Sequence, residues 1–448
     1  MTKKYLYNIS NKTLGSKLWK RAQKSIAGGS MLLTKNPDRY LSDYWPSYFQ
    51  KTSGCKVWDL NSKMYLDFSY MGVGTNSLGY SRKEVDKEVL KKISLGNMST
   101  LNAPEEVFLS EKLLNLNPWA QKVRFTRSGG EANAVAIRLA RTFKRKDKIL
   151  ICGYHGWHDW YLSTNLSSKN NLNGHIIKGL NPGGVPSSLK NTTLSFKYND
   201  IKTFTKLIYK HKDDIAAVKM EVVRSIQPKD DFLKKVREIT KKHNIILIFD
   251  ECTSGFRETY GGIYSKYKVT PDMIIYGKAL GNGYAINAVL GKGKIMNSID
   301  DTFISSTFWT ERIGSTAALA TLDTMKKEKS WIVITKIGKE VRGFWKDVFK
   351  KFEFDTEITG IPALSNFYFK DLNHLKYIRF ISQEMLQKGF LANNVFYAST
   401  SHNKALLKKY FLAFEESCMD LREAMDKKNI DILLKKQHKI KKNFERLN

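Results

Sequence analysis

Short apolar runs separated by polar, helix-compatible segments dominate the chain from about Leu139 to Tyr276. They include Ile149-Leu150-Ile151-Cys152, Ile215-Ala216-Ala217-Val218, Ile245-Ile246-Leu247-Ile248-Phe249 and Met273-Ile274-Ile275. Each is short, rich in β-branched residues and flanked by spacers of helix length, which predicts parallel strands buried on both faces. Ala132, Val135, Ala136, Leu139, Ala140 and Phe143 recur at helical spacing behind Ser128-Gly129-Gly130, so a helix is predicted to begin at a glycine-rich turn. The expected class is α/β, a layered domain around a mostly parallel sheet.

Farther along, Ile334, Ile337, Val341, Phe344, Trp345 and Val348 mark a long amphipathic helix, after which shorter mixed elements follow. A second lobe is therefore placed at 325–448, behind a large domain at 71–324. Val57-Trp58-Asp59-Leu60 and Met64-Tyr65-Leu66-Asp67 flank Asn61-Ser62 as a small hairpin, and residues 1–70 are expected to join the second lobe.

Lysine and arginine total 75 against 43 acidic residues, a formal charge of +32 that admits nucleic acid, anionic membrane or acidic metabolites as partners. The excess is mostly lysine, spread along the chain, and it accompanies many Asn, Ile, Phe and Tyr, as a coding bias would produce. Its densest tract, Lys435, Lys436, Lys439, Lys441 and Lys442 with Leu434, Ile440 and Phe444 interleaved, reads as a solvated helix face. Nucleic acid is not the expected partner. Cys55, Cys152, Cys252 and Cys418 form no CxxC pair and signal neither zinc nor a disulfide framework. Residues 1–20 lack an apolar core, and no apolar run approaches the ~20 residues that span a bilayer, so a cytoplasmic location without membrane contact is expected.

Four places carry candidate chemistry. Lys278 stands in Tyr276-Gly277-Lys278-Ala279-Leu280-Gly281-Asn282-Gly283, beyond an apolar run and inside a glycine-rich turn. A buried lysine is costly to charge, and an aldehyde cofactor supplies a reason for it to be neutral. Asp250 falls at the carboxyl end of another run, where open α/β sheets form clefts. It suits a protonated heterocyclic nitrogen; a lone Asp equally suits a helix cap or a metal. Ser128-Gly129-Gly130-Glu131 opens the predicted helix, where unpaired N–H groups and the dipole favour a phosphate, although Ser128 and Glu131 also spell an ordinary capping box. Gly153-Tyr154-His155-Gly156-Trp157-His158-Asp159 offers a flat aromatic at a strand end; its histidines and carboxylate are weak evidence for a metal, and none is expected. In this order the four places supply a phosphate cradle, a stacking ring, a carboxylate and an imine-forming lysine. These are the parts of a pyridoxal phosphate site.

With those residues the chain resembles the class III, fold type I, pyridoxal-phosphate aminotransferases, nearest the glutamate-1-semialdehyde 2,1-aminomutase group. The similarity runs from Ala27-Gly28-Gly29 and the Val57-Trp58-Asp59 hairpin through Ser128-Gly129-Gly130-Glu131-Ala132, Tyr154-His155-Gly156 and Asp250-Glu251 to Lys278 and Ser399-Thr400-Ser401-His402. It implies a large domain with helices on both faces of its sheet and a smaller α+β domain built from both termini. It also implies pyridoxal 5'-phosphate joined to Lys278, Asp250 at the pyridine nitrogen, Ser128, Gly129 and Gly130 at the phosphate, and Tyr154 on one ring face, with His155 and Glu221 among the cofactor contacts. Ser306-Thr307-Phe308 resembles the segment whose threonine reaches the cofactor phosphate of the neighbouring subunit, which implies a homodimer; an ordinary helix cap is the plainer reading of Thr307.

Departures from the family pattern fall around the same site. Trp309-Thr310-Glu311-Arg312-Ile313-Gly314 stands where the family has a Gly-Asn-Pro turn, Cys252 where it has a valine against the ring, and Met220-Glu221-Val222 where it has Met-Glu-Pro. The arginine that holds the aminomutase substrate's carboxylate aligns with Lys35, which lacks the bidentate fork; Arg39 is a nearby substitute. The expected function is amino transfer from an amino-acid donor, glutamate foremost, to a carbonyl acceptor. The Trp309 to Gly314 segment resembles relatives associated with surface-polysaccharide and amino-sugar pathways, so a sugar-derived acceptor is expected. Glutamate-1-semialdehyde aminomutation is the first alternative, and a non-catalytic basic nucleic-acid-binding relative is the second.

Overall fold

The computed structural model describes residues 5–175, 177–435 and 445–446. The lysine-rich tract beyond Lys435 lies outside them. Two compact units emerge, one built on Lys83–Ile332 and one on the chain up to Arg82 together with the chain from Val333.

The first unit is organised by seven strands: β1 (Lys122–Thr126), β2 (Lys148–Cys152), β3 (Thr193–Ser195), β4 (Ile215–Glu221), β5 (Ile246–Glu251), β6 (Met273–Tyr276) and β7 (Asn287–Gly291). They lie in the order β1-β7-β6-β5-β4-β2-β3. β3, β2, β4, β5 and β6 run parallel, while β7 is antiparallel to both its neighbours. Every residue of β4, β5, β6 and β7 is buried, as expected when helices cover both faces. Ile149, Ile151, Ala217, Ile246, Ile248 and Ile275 point to the face packed by Ala132, Val135, Ala136, Leu139 and Ala140 of helix α1 (Gly129–Lys144). Leu150, Val218, Leu247, Phe249 and Ile274 alternate with them, are equally buried, and face the other side. A second helix, α2 (Arg312–Glu328), packs Ala317 against Val85 and Val89 of the helix Lys83–Ile93.

The apolar run ending at Val218 is longer in the structure than its first charge suggests. β4 continues through Lys219 and Met220 to Glu221 without leaving the core, because a carboxylate on β5 lies beside the buried lysine.

The other unit contains the predicted hairpin, Lys56–Asp59 against Met64–Asp67, within a four-stranded sheet, and a separate three-stranded sheet of Thr356–Ile361, Leu364–Phe369 and Val395–Tyr397. The predicted amphipathic helix spans Ser330–Lys351 and buries Ile334, Val341 and Trp345 against a core rich in phenylalanine, including Phe367, Phe396 and Phe414. His402 fastens this core: its Nε2 donates to the Asp67 carbonyl at 2.8 Å, Nδ1 accepts the Ser399 N–H, and the ring packs on Phe68 at 4.5 Å.

Candidate active site

The carboxyl ends of β2, β4, β5 and β6 lie along one edge of the sheet, and so does the first residue of β7, because that strand runs the other way. Side chains from four separate stretches of sequence meet there. Clefts form at this edge in open α/β sheets because the loops that leave successive strands diverge.

Asp250 is the centre of charge. It is 4 % exposed, and its Oδ2 lies 2.8 Å from His155 Nδ1 and 3.3 Å from Lys219 Nζ, while Oδ1 accepts the Cys252 N–H at 3.1 Å. Burial alone would raise this carboxyl, but Lys219, then His155 and the Cys252 N–H, outweigh it and hold Asp250 below the ordinary carboxylate range. Asp250 is therefore ionised across the physiological range. His155 is wholly buried; burial first, and then Lys219, lower its proton affinity, with Asp250 opposing them. Its Nε2 has no hydrogen-bond partner among the described residues.

Lys278 begins the turn after β6. Its backbone is in the left-handed region, φ 41°, which a residue with a side chain adopts only when its surroundings impose it. The constraint comes from Gly277, where a Cβ would stand 2.0 Å from Asn287 Oδ1 and 2.7 Å from Cys252 Sγ, so the chain is drawn tightly against β7. Lys278 Nζ donates to Thr253 Oγ1 at 2.6 Å. Cys252 Sγ in turn lies 3.5 Å from Asn287 Oδ1, and burial raises the thiol's proton affinity, keeping it a neutral packing group.

At Ser128 the structure shows the capping-box reading of the motif. Ser128 Oγ accepts the Glu131 N–H at 3.3 Å and Glu131 Oε2 accepts the Ser128 N–H at 2.8 Å, a complete capping box. The N–H groups of Gly129 and Gly130 are the first-turn donors outside that box. A Cβ on Gly130 would sit 2.4 Å from His158 Cε1, so glycine here lets an imidazole with an unpartnered buried Nδ1 close over the helix start.

The loop after β2 is fixed by β4. Glu221 Oε2 accepts the Tyr154 N–H at 3.1 Å and its Oε1 accepts from Arg224 at 3.1 Å, and Gly153 avoids Glu221, which a Cβ would approach to 2.7 Å. The Tyr154 ring packs edge-on to Tyr161.

Thr307 is exposed at the start of a one-turn 3-10 helix, Thr307–Thr310; the long helix α2 starts later and is capped by Glu311 through the N–H groups of Ile313 and Gly314. The intervening segment is docked on the start of α1. Arg127 pairs with Glu311 at 2.8 Å and donates to the carbonyls of Trp309 and Glu311, and Trp309 Nε1 donates to Glu131 at 3.2 Å. Lys35 and Arg39 belong to the other unit, each closing a short 3-10 helix, Lys35 exposed and Arg39 half-buried.

Lys219, Thr253 and Asn287 are members of this cluster that sequence reasoning misses. A lysine ordinarily ends an apolar run, and a lone threonine after a strand or an asparagine opening one carries no signal of its own.

Comparison with known proteins bears on the family and the fold. The family model for aminotransferase class-III matches residues 42–398. A glutamate-1-semialdehyde 2,1-aminomutase of Sulfurisphaera tokodaii is 32% identical over 364 residues, covering 79% of this chain and 84% of that one. A 3-aminobutyryl-CoA aminotransferase of Cloacimonas acidaminovorans is 30% identical, covering 79% of this chain and 83% of its own. Among solved structures, an omega-transaminase from Sphaerobacter thermophilus superposes with a TM-score of 0.82 at 24% identity, covering 92% of this chain and 98% of that one.

Proposed function

The chain belongs to the class-III aminotransferases, fold type I enzymes that use pyridoxal 5'-phosphate, and from that premise we propose that it moves an amino group from an amino-acid donor, glutamate foremost, to a carbonyl acceptor. The observation that carries this reading is the pairing of an ionised, buried Asp250 with Lys278 on adjacent strand ends, β5 and β6, of one sheet. When bound, the cofactor supplies an aldehyde for the amino group and a ring that draws electrons from the carbon losing its proton.

The residues present fit that group. The N–H groups of Gly129 and Gly130, with Ser128 capping the same turn, take the phosphate at a helix N-terminus. Asp250, held in place by His155, would offer the ring nitrogen a negative charge. The Lys278 amine would hold the cofactor covalently and, when free, would take and return the substrate proton; its nitrogen donates to Thr253 Oγ1. Tyr154, positioned through its N–H on Glu221, and Cys252 would flank the ring. Thr307, which is exposed, would reach the phosphate of a second copy in a homodimer. Lys35 and Arg39 are the candidates for the substrate carboxylate. We take a sugar or sugar-derived carbonyl as the acceptor class on the resemblance of the segment Trp309 to Gly314 to relatives of surface-polysaccharide and amino-sugar pathways; that segment docks on the start of α1.

The names of relatives such as the Sulfurisphaera tokodaii aminomutase favour a second reading, in which both half-reactions stay on one carbon skeleton. The test is stoichiometric. Transfer predicts that L-glutamate alone yields 2-oxoglutarate up to one equivalent of enzyme, with Lys278→Ala yielding none. Isomerisation of glutamate 1-semialdehyde without any donor would select the aminomutase, and full turnover by Lys278→Ala would overturn both.

A further inference from the structure

Lys219 is wholly buried at the middle of the sheet, in register with Ile151 on β2 and Ile248 on β5. It shares their face, which α1 covers with Ala132, Val135, Ala136 and Leu139, none of them charged. Its nitrogen lies 3.3 Å from Asp250 Oδ2, its one ion-pair partner among the described residues. The other titratable groups facing it are few. His155, from the loop after β2, shares the same carboxylate oxygen; Glu221, two residues along β4, is committed to the Tyr154 N–H and Arg224; the Cys252 thiol is neutral; and His175 beyond His155 accepts the Gly153 N–H. A methionine or isoleucine would fill this space without burying a cation.

We propose that Lys219 is a positioning residue that shares Asp250 with the cofactor's ring nitrogen, so that one carboxylate serves two competing cations and the ring nitrogen loses its proton more readily than it would opposite Asp250 alone. This rests on the reading of Asp250 as the ring-nitrogen partner. One negative charge neutralises one positive charge, and in a buried site the surplus cation is driven to release a proton. Burial weakens Lys219's hold on its proton and Asp250 opposes that, so the lysine depends on the same carboxylate for its charge. The consequence is a ring whose electron-withdrawing power varies with pH instead of being locked by a dedicated carboxylate.

The experiment loads the full chain with pyridoxal phosphate carrying 15N at the ring nitrogen, confirms uptake by visible absorption, and follows the 15N shift from about pH 6 to 10. In the wild type the ring nitrogen should titrate within this window, and in Lys219→Met the midpoint should rise by about one unit or more, the size expected when a like charge is removed from a buried site. A flat wild-type signal, or superimposable curves in the two proteins, overturns the proposal. A lysine that merely packs would change the melting temperature without moving the midpoint. Lys219→Gln replaces the methionine variant if that one does not fold, and the wild-type curve decides on its own if neither does. Failure of the wild type to take up the cofactor would instead remove the reading of Asp250 and Lys278 on which the proposal stands.

Discussion

Asp250 and Glu251 are neighbours on β5, yet they face opposite sides of the sheet and meet opposite chemistry. Asp250 looks toward Lys219 and His155, and the ammonium of the one and the ring hydrogen bond of the other keep its charge in the core. Glu251 has no ion-pair partner among the described residues; it accepts the N–H groups of Ile263 at 2.6 Å and Tyr264 at 2.8 Å, and burial pushes its carboxyl up to about 8. Burial alone therefore does not decide the charge of a carboxyl. One face of the strand maintains a charge in the core, and the other uses a carboxyl to pin the loop at Ile263 and Tyr264.

Replacing each carboxylate in turn tests that division. Asp250→Asn should lower kcat by ~10²–10³-fold, the scale seen when a preorganised charge is removed from a site, while circular dichroism still reports a folded protein. Glu251→Gln should leave kcat unchanged; equal losses in the two variants would erase the distinction. Next in size, Gly277→Ala drives a Cβ into Asn287 and Cys252 and displaces Lys278, so activity should fall by ~10²-fold, read as a lower kcat in steady-state kinetics.

Stability should separate the pair by the sign of its pH dependence. Glu251 has its folded value raised from 4.5 to about 8, so its contribution is complete below about 4.5 and is lost as pH climbs through about 8. Asp250 is lowered from 3.8, so its contribution is present above that value and is lost as pH falls through the folded one. Glu251→Gln should cost ~1–3 kcal/mol, since an amide nitrogen cannot accept the second loop N–H, and should flatten the melting temperature between about pH 4.5 and 8. An unchanged slope would contradict the raised carboxyl. The smallest effect is expected at the segment docked on α1: Glu311→Gln weakens the Arg127 pair and should raise the acceptor KM roughly two- to tenfold with kcat retained, as for the loss of ~0.5–1.5 kcal/mol.

The difference between the two carboxylates also marks where sequence reasoning stops. Apolar runs buried on both faces place Asp250 and Lys278 at strand ends with no knowledge of the fold, because burial on both faces leaves an unbroken run whose end is visible. The role of Glu251 is not visible, since nothing in Asp-Glu tells which residue faces a cation. Lys219 is hidden for a related reason: a lysine ordinarily ends an apolar run, and only the carboxylate on the next strand allows it to stay inside. Ser128 is legible twice, as a cap and beside a candidate phosphate site, because both uses exploit the same unpaired N–H groups. The docking of Trp309 and Glu311 on α1 depends on Arg127, a pairing across the fold that no local pattern encodes.

The central claim is that Lys278 and Asp250 form a working amino-transfer site. Visible absorption of the purified chain with pyridoxal phosphate, before and after L-glutamate, addresses it most directly. The account predicts a visible band that Lys278→Ala lacks and that L-glutamate discharges as 2-oxoglutarate appears. A wild-type chain that gives no such band, or the same band without Lys278, would contradict it.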